Sequence, residues 1–393
     1  MQKKIGAILL IAGTCIGSGM IALPMVAAKL GLIPSFLLMS VIWFLVYYTS
    51  LINLELNLNA GQGLPLGELA RRYSGKGAEI LGIISLKILC YSLLAVYIYG
   101  GSSILQELIR ANLGFKPSFN WVAFWYAVGV MMILLLSLQW IDRINRVLFF
   151  GLLGVVLLLI GGLAFTVDQS HLPLVYEGYD RFPAWGSVIP VVFTSFGFQV
   201  IFHTLTNYCN KDAQMLKKAF FWGSLIPAIV YMLWTFSILS VVYHHQPEFY
   251  HQMAGGKAEV GELIKVLSEI SEWKSLQIFV WWISILAIAT SVIGVGVGLC
   301  DSISRILNNK LFAVFVTILP AYIVAIFVPN AFLTVLGFAG MILAVIAILL
   351  PTYLFFRIPS FHCHYPELKK KSLIIVTFFI GIAVIVCEIF NML

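Results

Sequence analysis

The sequence predicts an all-α, polytopic membrane protein of eleven transmembrane helices, built as two five-helix inverted repeats followed by one extra C-terminal helix. Three observations predict it. Of the 393 residues, 61% are apolar and only 10% charged, with a mean hydropathy of +0.99, a composition suited to a chain solvated by lipid. Apolar windows of about 20 residues, the length that crosses a bilayer core, recur near 5–28, 32–58, 79–109, 121–138, 147–166, 185–207, 217–243, 275–300, 311–328, 331–355 and 372–392. Two of these windows, the first and the sixth, are interrupted mid-span by glycine and small polar residues.

The first window contains "AGTCIGSGM" (Ala12 to Met20), with three glycines in nine residues. Each glycine costs roughly 1 kcal/mol of helix propensity relative to alanine, and in hydrocarbon every freed backbone group needs another partner. This backbone is therefore expected to meet something other than lipid. The sixth window carries "FTSFGFQ" (Phe193 to Gln199) in its middle. Because five is odd, spans 1–5 (about 5–166) and 6–10 (about 185–355) run in opposite senses across the bilayer, as an inverted-repeat transporter requires. The eleventh span, about 372–392, is an addition, and the whole chain, 1–393, reads as one transmembrane domain.

Two helices broken at the same depth offer half-helix N-termini to anionic groups and carbonyl ends to cations. A zwitterionic amino acid carries both charges and suits that arrangement. Close packing of helices is the other use of glycine inside a span, but a second break five spans after the first favours binding.

Placement of Lys and Arg sets the orientation, since positive charge is retained on the cytoplasmic side. With the N-terminus inside, sixteen cations fall on inner segments (Arg71, Arg72 and Lys369 to Lys371 among them) and seven on outer ones, with Lys87 inside span 3. The expected topology is multi-pass, with the N-terminus cytoplasmic and the C-terminus outside. The net charge of +7 then reflects topology and the anionic inner leaflet, and gives no reason to invoke nucleic acid. The opening "MQKK" and "VAA" have the flavour of a signal peptide, but ten further spans need no cleaved leader.

No catalytic signature is present: there is no phosphate-binding loop with Lys, no HExxH and no GxSxG, so no enzyme and no cofactor are expected. The six cysteines, without a CxxC pair, give no disulfide framework. "HCH" (His362 to His364) reads as a solvated loop, since a metal site needs a second ligand cluster. The outer segment His244 to Trp273 places Val260, Leu263, Ile264, Leu267 and Ile270 at helical spacing, which predicts an amphipathic helix lying over the outer face.

Three segments carry a family resemblance. "AGTCIGSGMIALP" (Ala12 to Pro24), "IPVVFTSFGFQ" (Ile189 to Gln199) and "ATSVIGVGVGLCD" (Ala289 to Asp301) resemble the bacterial aromatic and hydroxy amino acid permeases, the group containing the tyrosine-specific and tryptophan permeases. The similarity runs over nearly the whole chain and includes "LGELARRYSG" (Leu66 to Gly75). This family belongs to the amino acid, polyamine and organocation superfamily, with the LeuT-like fold.

The resemblance implies that Gly17, Ser18 and Gly19 receive the substrate carboxylate, while carbonyls around Thr14 and Ile16 hold the amino group. Ser195, Phe196 and Gly197 form the opposing unwound segment. Phe193 and Phe198 are candidates for contact with an aromatic side chain. Gln199 stands where the family commonly has His, and His203, one helical turn along, is either its replacement or an ordinary hydrogen-bonded histidine. In sodium-coupled members of the fold, hydroxyls at Thr290 and Ser291 join helix 1 carbonyls, here those of Gly13 and Ile16, around the ion; the bacterial family is generally proton-driven, so proton symport is expected ahead of sodium symport.

Few ionisable residues fall within spans. Glu55 and Lys87 are read as a pair, structural or gating in role, because an unpaired charge at this depth costs about 2–3 kcal/mol. Glu388 and Asp301 sit near span ends and are expected at the interface. Together these features predict a monomeric secondary transporter that imports an aromatic amino acid, tyrosine or tryptophan, with membrane lipids as its surroundings. The alternatives are a sodium-coupled carrier of the same substrates and a proton-coupled serine/threonine permease.

Overall fold

The computed structural model describes residues 2–17, 19–61, 63–137, 140, 143–144, 147–148, 150–152, 154–156, 158, 172–177, 182–270, 274–304, 307, 309–358 and 365–392. Every regular element among them is helical. The first apolar window folds as two helices, α1 (Gln2–Cys15) and α2 (Gly19–Ala27), bent by 52° from one another. α3 (Leu32–Ala60) ends at Gly61, whose φ of 72° is the left-handed conformation that closes a helix with little strain at glycine. The "LGELARRYS" segment is a short helix, α4 (Leu66–Ser74). From it Arg72 donates to the Ala60 carbonyl at 2.9 Å and Tyr73 to that of Leu56 at 3.1 Å, supplying donors to the open end of α3.

α5 (Lys76–Leu113) has 38 residues, about 57 Å at 1.5 Å per residue. It therefore outruns a hydrocarbon core of about 30 Å. α6 (Phe119–Leu135) is shorter, and the predicted fifth span, 147–166, lies largely outside the described residues. The sixth window is in pieces: α7 (Phe182–Ser195), a 3-10 turn (Gln199–Ile201) and α8 (Phe202–Tyr208). α9 (Ala213–His245) starts at Asp212, whose carboxylate accepts from the Met215 N–H at 2.9 Å. Next come α10 (Pro247–Ala254), α11 (Val260–Ile270), α12 (Lys274–Ser304) and α13 (Lys310–Phe327). α14 (Ala331–Ala344) continues through a π-helical turn (Val345–Leu349) into α15 (Leu350–Arg357) as one span, and α16 (Lys371–Met392) closes the chain.

Among the described residues, seven helices are long and apolar enough to cross a membrane, or eight if α1 and α2 form one bent span. The protein is a multi-pass membrane protein. Its outward faces carry exposed Leu37, Phe44, Trp125, Phe356 and Phe379, as expected of surfaces that face lipid rather than water.

α5 is the hub, touching α4, α6, α11, α12, α13 and α14. Its Gly100 lets α14 come close, because a β-carbon there would lie 2.8 Å from the Phe332 ring. The predicted amphipathic helix is α11: Val260, Leu263, Ile264 and Leu267 are buried, and the Gly261 N–H donates to the Ser103 hydroxyl of α5 at 3.1 Å. α16 packs on α7 and α14. A β-carbon on its Gly381 would meet Ile348 and Leu349 of the π-helical turn at 2.9 Å, so the widened turn seats in a notch of the last helix.

One expectation is overturned here. Glu388 is not interfacial but 0% exposed, with its carboxylate laid against Gly337 of α14. Its place near the end of a hydrophobic window suggested water, but the helices packed around it remove that water.

Candidate functional site

Both interruptions are real breaks in helical hydrogen bonding, and they meet. α1 ends with the Ile16 N–H on the Ala12 carbonyl at 2.9 Å, and Met20 restarts on Gly17 at 3.1 Å. Among the described residues no backbone N–H reaches the carbonyls of Gly13 or Thr14. Across the gap, α7 ends in tightened turns: Phe196 N–H to Phe193 at 3.2 Å, Gly197 to Thr194 at 2.9 Å and Phe198 to Phe196 at 3.1 Å. Pro190 inside α7 cannot donate to its own helix, which weakens the segment further.

Contact between the breaks is made at Gly19. A β-carbon there would lie 2.7 Å from the Tyr231 hydroxyl and 2.8 Å from the Ser195 β-carbon, so only glycine fits. The Tyr231 hydroxyl, on α9, lies within hydrogen-bonding distance of the Cys15 carbonyl at the end of α1 and of the Ser195 carbonyl at the end of α7, the latter at 3.0 Å. One turn along, the Trp234 indole donates to the Met20 carbonyl. Tyr231 thus reaches carbonyls that the breaks set free, and Trp234 one that Pro24, without an N–H four residues along α2, leaves open; an unsatisfied carbonyl would cost several kcal/mol in a membrane interior.

The remaining predicted residues fall around this junction in different ways. Gly17 faces α12: a β-carbon there would run into the Ser291 hydroxyl. Ser291 donates to Ala287 at 2.8 Å and Thr290 to Leu286 at 2.9 Å, so both hydroxyl protons stay on their own helix and the oxygen lone pairs remain as acceptors. Ile16 is buried, whereas Thr14 is exposed and its hydroxyl donates back to Leu10 at 2.7 Å. Phe193, Phe196 and Phe198 are all fully buried. Phe196 meets Tyr231 edge-on, with centroids 5.5 Å apart, while Phe198 packs with Phe202 and Phe220 at 5.3 and 6.1 Å in a separate aromatic group. Gly197 lies under Leu343, whose terminal carbon would be 2.8 Å from an added β-carbon.

Gln199 is 8% exposed, and neither end of its amide has a hydrogen-bond partner among the described residues. A buried amide in that state calls for a partner, and the side chain of His203, one helical turn along, is not among the described residues. Ser18 and the side chain of His203 lie outside the described residues, as does the "HCH" segment. Glu55 is fully buried, accepting from Asn59 at 2.8 Å and from the Tyr365 N–H at 3.1 Å. Lys87 is half-buried on α5 and forms no ion pair with Glu55 among the described residues, so the structure does not bring this pair together as expected.

Tyr231 and Trp234 are functional candidates that only the structure brings out. A signal existed: two side chains with apolar bodies and polar tips, one turn apart in a long apolar window, each needing a hydrogen-bond partner away from water.

Beside α2 lies a cleft of about 180 Å3, lined among others by Met25, Lys29, Tyr99, Ser187, Phe332 and Asn391. Lys29 donates to the Ser187 hydroxyl at 2.9 Å, and burial pulls its ammonium below the ordinary lysine range. Glu259 lines the same cleft. Its carboxyl is held above the ordinary range by burial first, then by Glu262 and Glu107, against the opposing pull of Lys116.

A helical, multi-pass membrane protein whose first and sixth apolar segments are both interrupted, and pinned to each other at the interruptions, is the class these observations define. The chain belongs to the tryptophan/tyrosine permease family, whose sequence model matches residues 1–388; it is a permease and not an enzyme. It is similar to the tyrosine-specific transport system 1 of Haemophilus influenzae, 31% identical over 93% of this chain and 91% of that protein. It is similar also to the tryptophan-specific transport protein of Pseudomonas aeruginosa, 28% identical over 88% and 84%. The glutamine transporter 2 of Aliivibrio fischeri is 28% identical over 89% and 87%.

Proposed function

We propose that the protein is a secondary transporter that imports an aromatic amino acid, tyrosine or tryptophan, across the bacterial inner membrane by proton symport and alternating access. The observation that carries this reading is the junction of Gly19, Ser195 and Tyr231. It brings the C-terminal end of α1 and the N-terminal end of α2 against the end of α7, so that the broken helices present their ends to one another. There the carboxylate takes the Gly17 to Gly19 backbone and the amino group takes carbonyls around Thr14 and Ile16. Phe193, Phe196 and the buried amide of Gln199 flank the side chain. Tyrosine and tryptophan are the substrates in the names of two relatives; the glutamine transporter among them is a reason to test an amide side chain as well.

In this reading spans 1–5 and 6–10 are the inverted repeats and α16 the eleventh, added span. The cation bias puts the N-terminus in the cytoplasm and the cleft beside Lys29 on the periplasmic side, as an entrance to the site. A specific observation supports the second coupling reading: Ser291 abuts Gly17 with its lone pairs free, and hydroxyl and carbonyl oxygens are the ligands a hard cation takes.

The test is uptake of labelled tyrosine, tryptophan, glutamine and serine into proteoliposomes under separately imposed proton and sodium gradients. Accumulation of an aromatic substrate driven by the proton gradient alone is expected. Accumulation of serine only, or of nothing, under either gradient rejects the reading, and accumulation driven by sodium alone replaces the proton with sodium.

A further inference from the structure

Glu388 is the one acidic side chain of α16, and it is placed where an ionised carboxylate is hardest to keep. It is 0% exposed, and among the described residues neither oxygen has a hydrogen-bond partner within 3.5 Å; the side chain of Asn391, one turn along, is the hydrogen-bonding group that bears on the carboxylate. The carboxylate lies against the backbone of Gly337, where an added β-carbon would be 2.6 and 2.7 Å from its two oxygens. An unpaired charge buried in this way is costly, and ionisable residues within spans earn a functional reading by default.

The surroundings supply no counter-charge. α7 and α14, which pack against α16, carry no ionisable side chain. The π-helical turn carries none either, and Arg357 of α15, Glu367, Lys369 and Lys371 lie at the opposite end of α16, about 25 Å away at 1.5 Å per residue for Lys371. On α16 itself the neighbours are Cys387 and the amide of Asn391, one turn along and bearing on the carboxylate. Asp180 and Arg181, just before α7, are outside the described residues. Beyond Asn391 opens the cleft, where Lys29 and Glu259 are the charged groups.

The seam that Glu388 occupies is closed by small residues. Gly186 of α7 sits over the Cys387 carbonyl, 3.5 Å from an added β-carbon, and Gly340 of α14 sits over the Pro190 carbonyl of α7. Thr194 of α7 donates to Pro190 at 2.8 Å and lies 3.1 Å from the Leu336 carbonyl of α14. The outer half of the broken sixth span is thus docked on the same two helices that enclose Glu388. A neutral acid fits this dry seam, whereas an ionised carboxylate needs water, and the cleft that Asn391 lines is a route by which water can reach it.

We propose that Glu388 is a proton-binding site, filled from the cleft, whose protonation holds the seam between α7, α14 and α16 closed and whose ionisation opens it. The inference rests on the transport reading only for the side from which the proton arrives. One proton binds one carboxylate oxygen from water in the cleft and returns there on opening; no other group changes.

Two measurements test it. The first is labelling of the native Cys387 thiol by a membrane-impermeant maleimide, read by peptide mass spectrometry in wild type and in Glu388→Gln at matched pH. As pH rises through the ionisation of Glu388, wild-type labelling is expected to outpace that of Glu388→Gln by roughly tenfold per pH unit for a single site. Gly337→Ala, which puts a methyl where the carboxylate lies, is expected to raise labelling at every pH. The second is the initial rate of uptake against external pH, which is expected to fall more steeply with rising pH in wild type than in Glu388→Gln. Equal labelling of wild type and Glu388→Gln at every pH overturns the proposal whether or not any substrate is carried. Failure of uptake alone, with the labelling difference intact, counts against the transport reading and leaves the proton site standing.

Discussion

Gly19 of α2 and Ser195 of α7 are in direct contact: a β-carbon on Gly19 would lie 2.8 Å from that of Ser195. The two residues belong to breaks separated by 176 positions of sequence, and their approach turns two weak points into one junction. Gly19→Ala is therefore expected to force the breaks apart, at a cost of about 1–3 kcal/mol for overpacking. Uptake should fall by more than tenfold while the variant still inserts and elutes as wild type does on size exclusion. Uptake within twofold of wild type removes the junction from the mechanism.

Tyr231→Phe keeps the edge-on ring contact with Phe196 and deletes only the hydroxyl that reaches Cys15 and Ser195. Leaving buried carbonyls without a donor costs about 1–3 kcal/mol. A lowered unfolding temperature in detergent and a raised KM for uptake are the expected pair of results. Trp234→Phe should show the same drop in stability through Met20.

Thr290→Ala and Ser291→Ala separate the two coupling readings. Both hydroxyls donate to their own helix, a harmless arrangement in a proton-coupled carrier. Proton-driven uptake should then survive either change to within about twofold. Collapse of sodium-driven uptake in both variants, with no proton-driven uptake in wild type, identifies these oxygens as cation ligands.

Glu259 gives a pH dependence with a definite sign. Its carboxyl is held above the ordinary glutamate value, about 4.3, by burial first and then by Glu262 and Glu107. The folded state thus binds a proton more readily than the unfolded one, so this group adds stability as pH falls and the contribution is lost as pH rises through the elevated value. Glu259→Gln should flatten that part of the profile, read as unfolding temperature of the solubilised protein from acid to neutral pH. An unchanged slope contradicts the assignment.

Much of this was legible in the chain. "AGTCIGSGM" and "FTSFGFQ" announced their breaks because glycine set among small polar residues weakens two spans, five apart, at their middles, and the spacing of Val260, Leu263, Ile264 and Leu267 announced α11 because an apolar stripe must find a surface. What stayed hidden depends on approach between distant segments. Tyr231 and Trp234 look like any aromatic residues of a long span until the carbonyls of Cys15, Ser195 and Met20 arrive beside them. Glu388 was misread because position along a helix says how near the end a residue is, but not which neighbours stand between it and water. Glu55 and Lys87 looked like partners by depth alone, whereas Glu55 is taken by Asn59 and the Tyr365 backbone.

The notch at Gly381 changes the standing of the last helix. On the proposed two-repeat plan, α16 is surplus and reads as a late ornament that evolution or an engineer is free to trim. Yet it cradles the widened coil of the span that precedes it, whose Ile348 and Leu349 would otherwise protrude into lipid, and it shields the bare stretch at Gly337. A chain cut before residue 371 would lose a rivet rather than a tail, and should be cleared by membrane proteases instead of accumulating as a shorter working carrier.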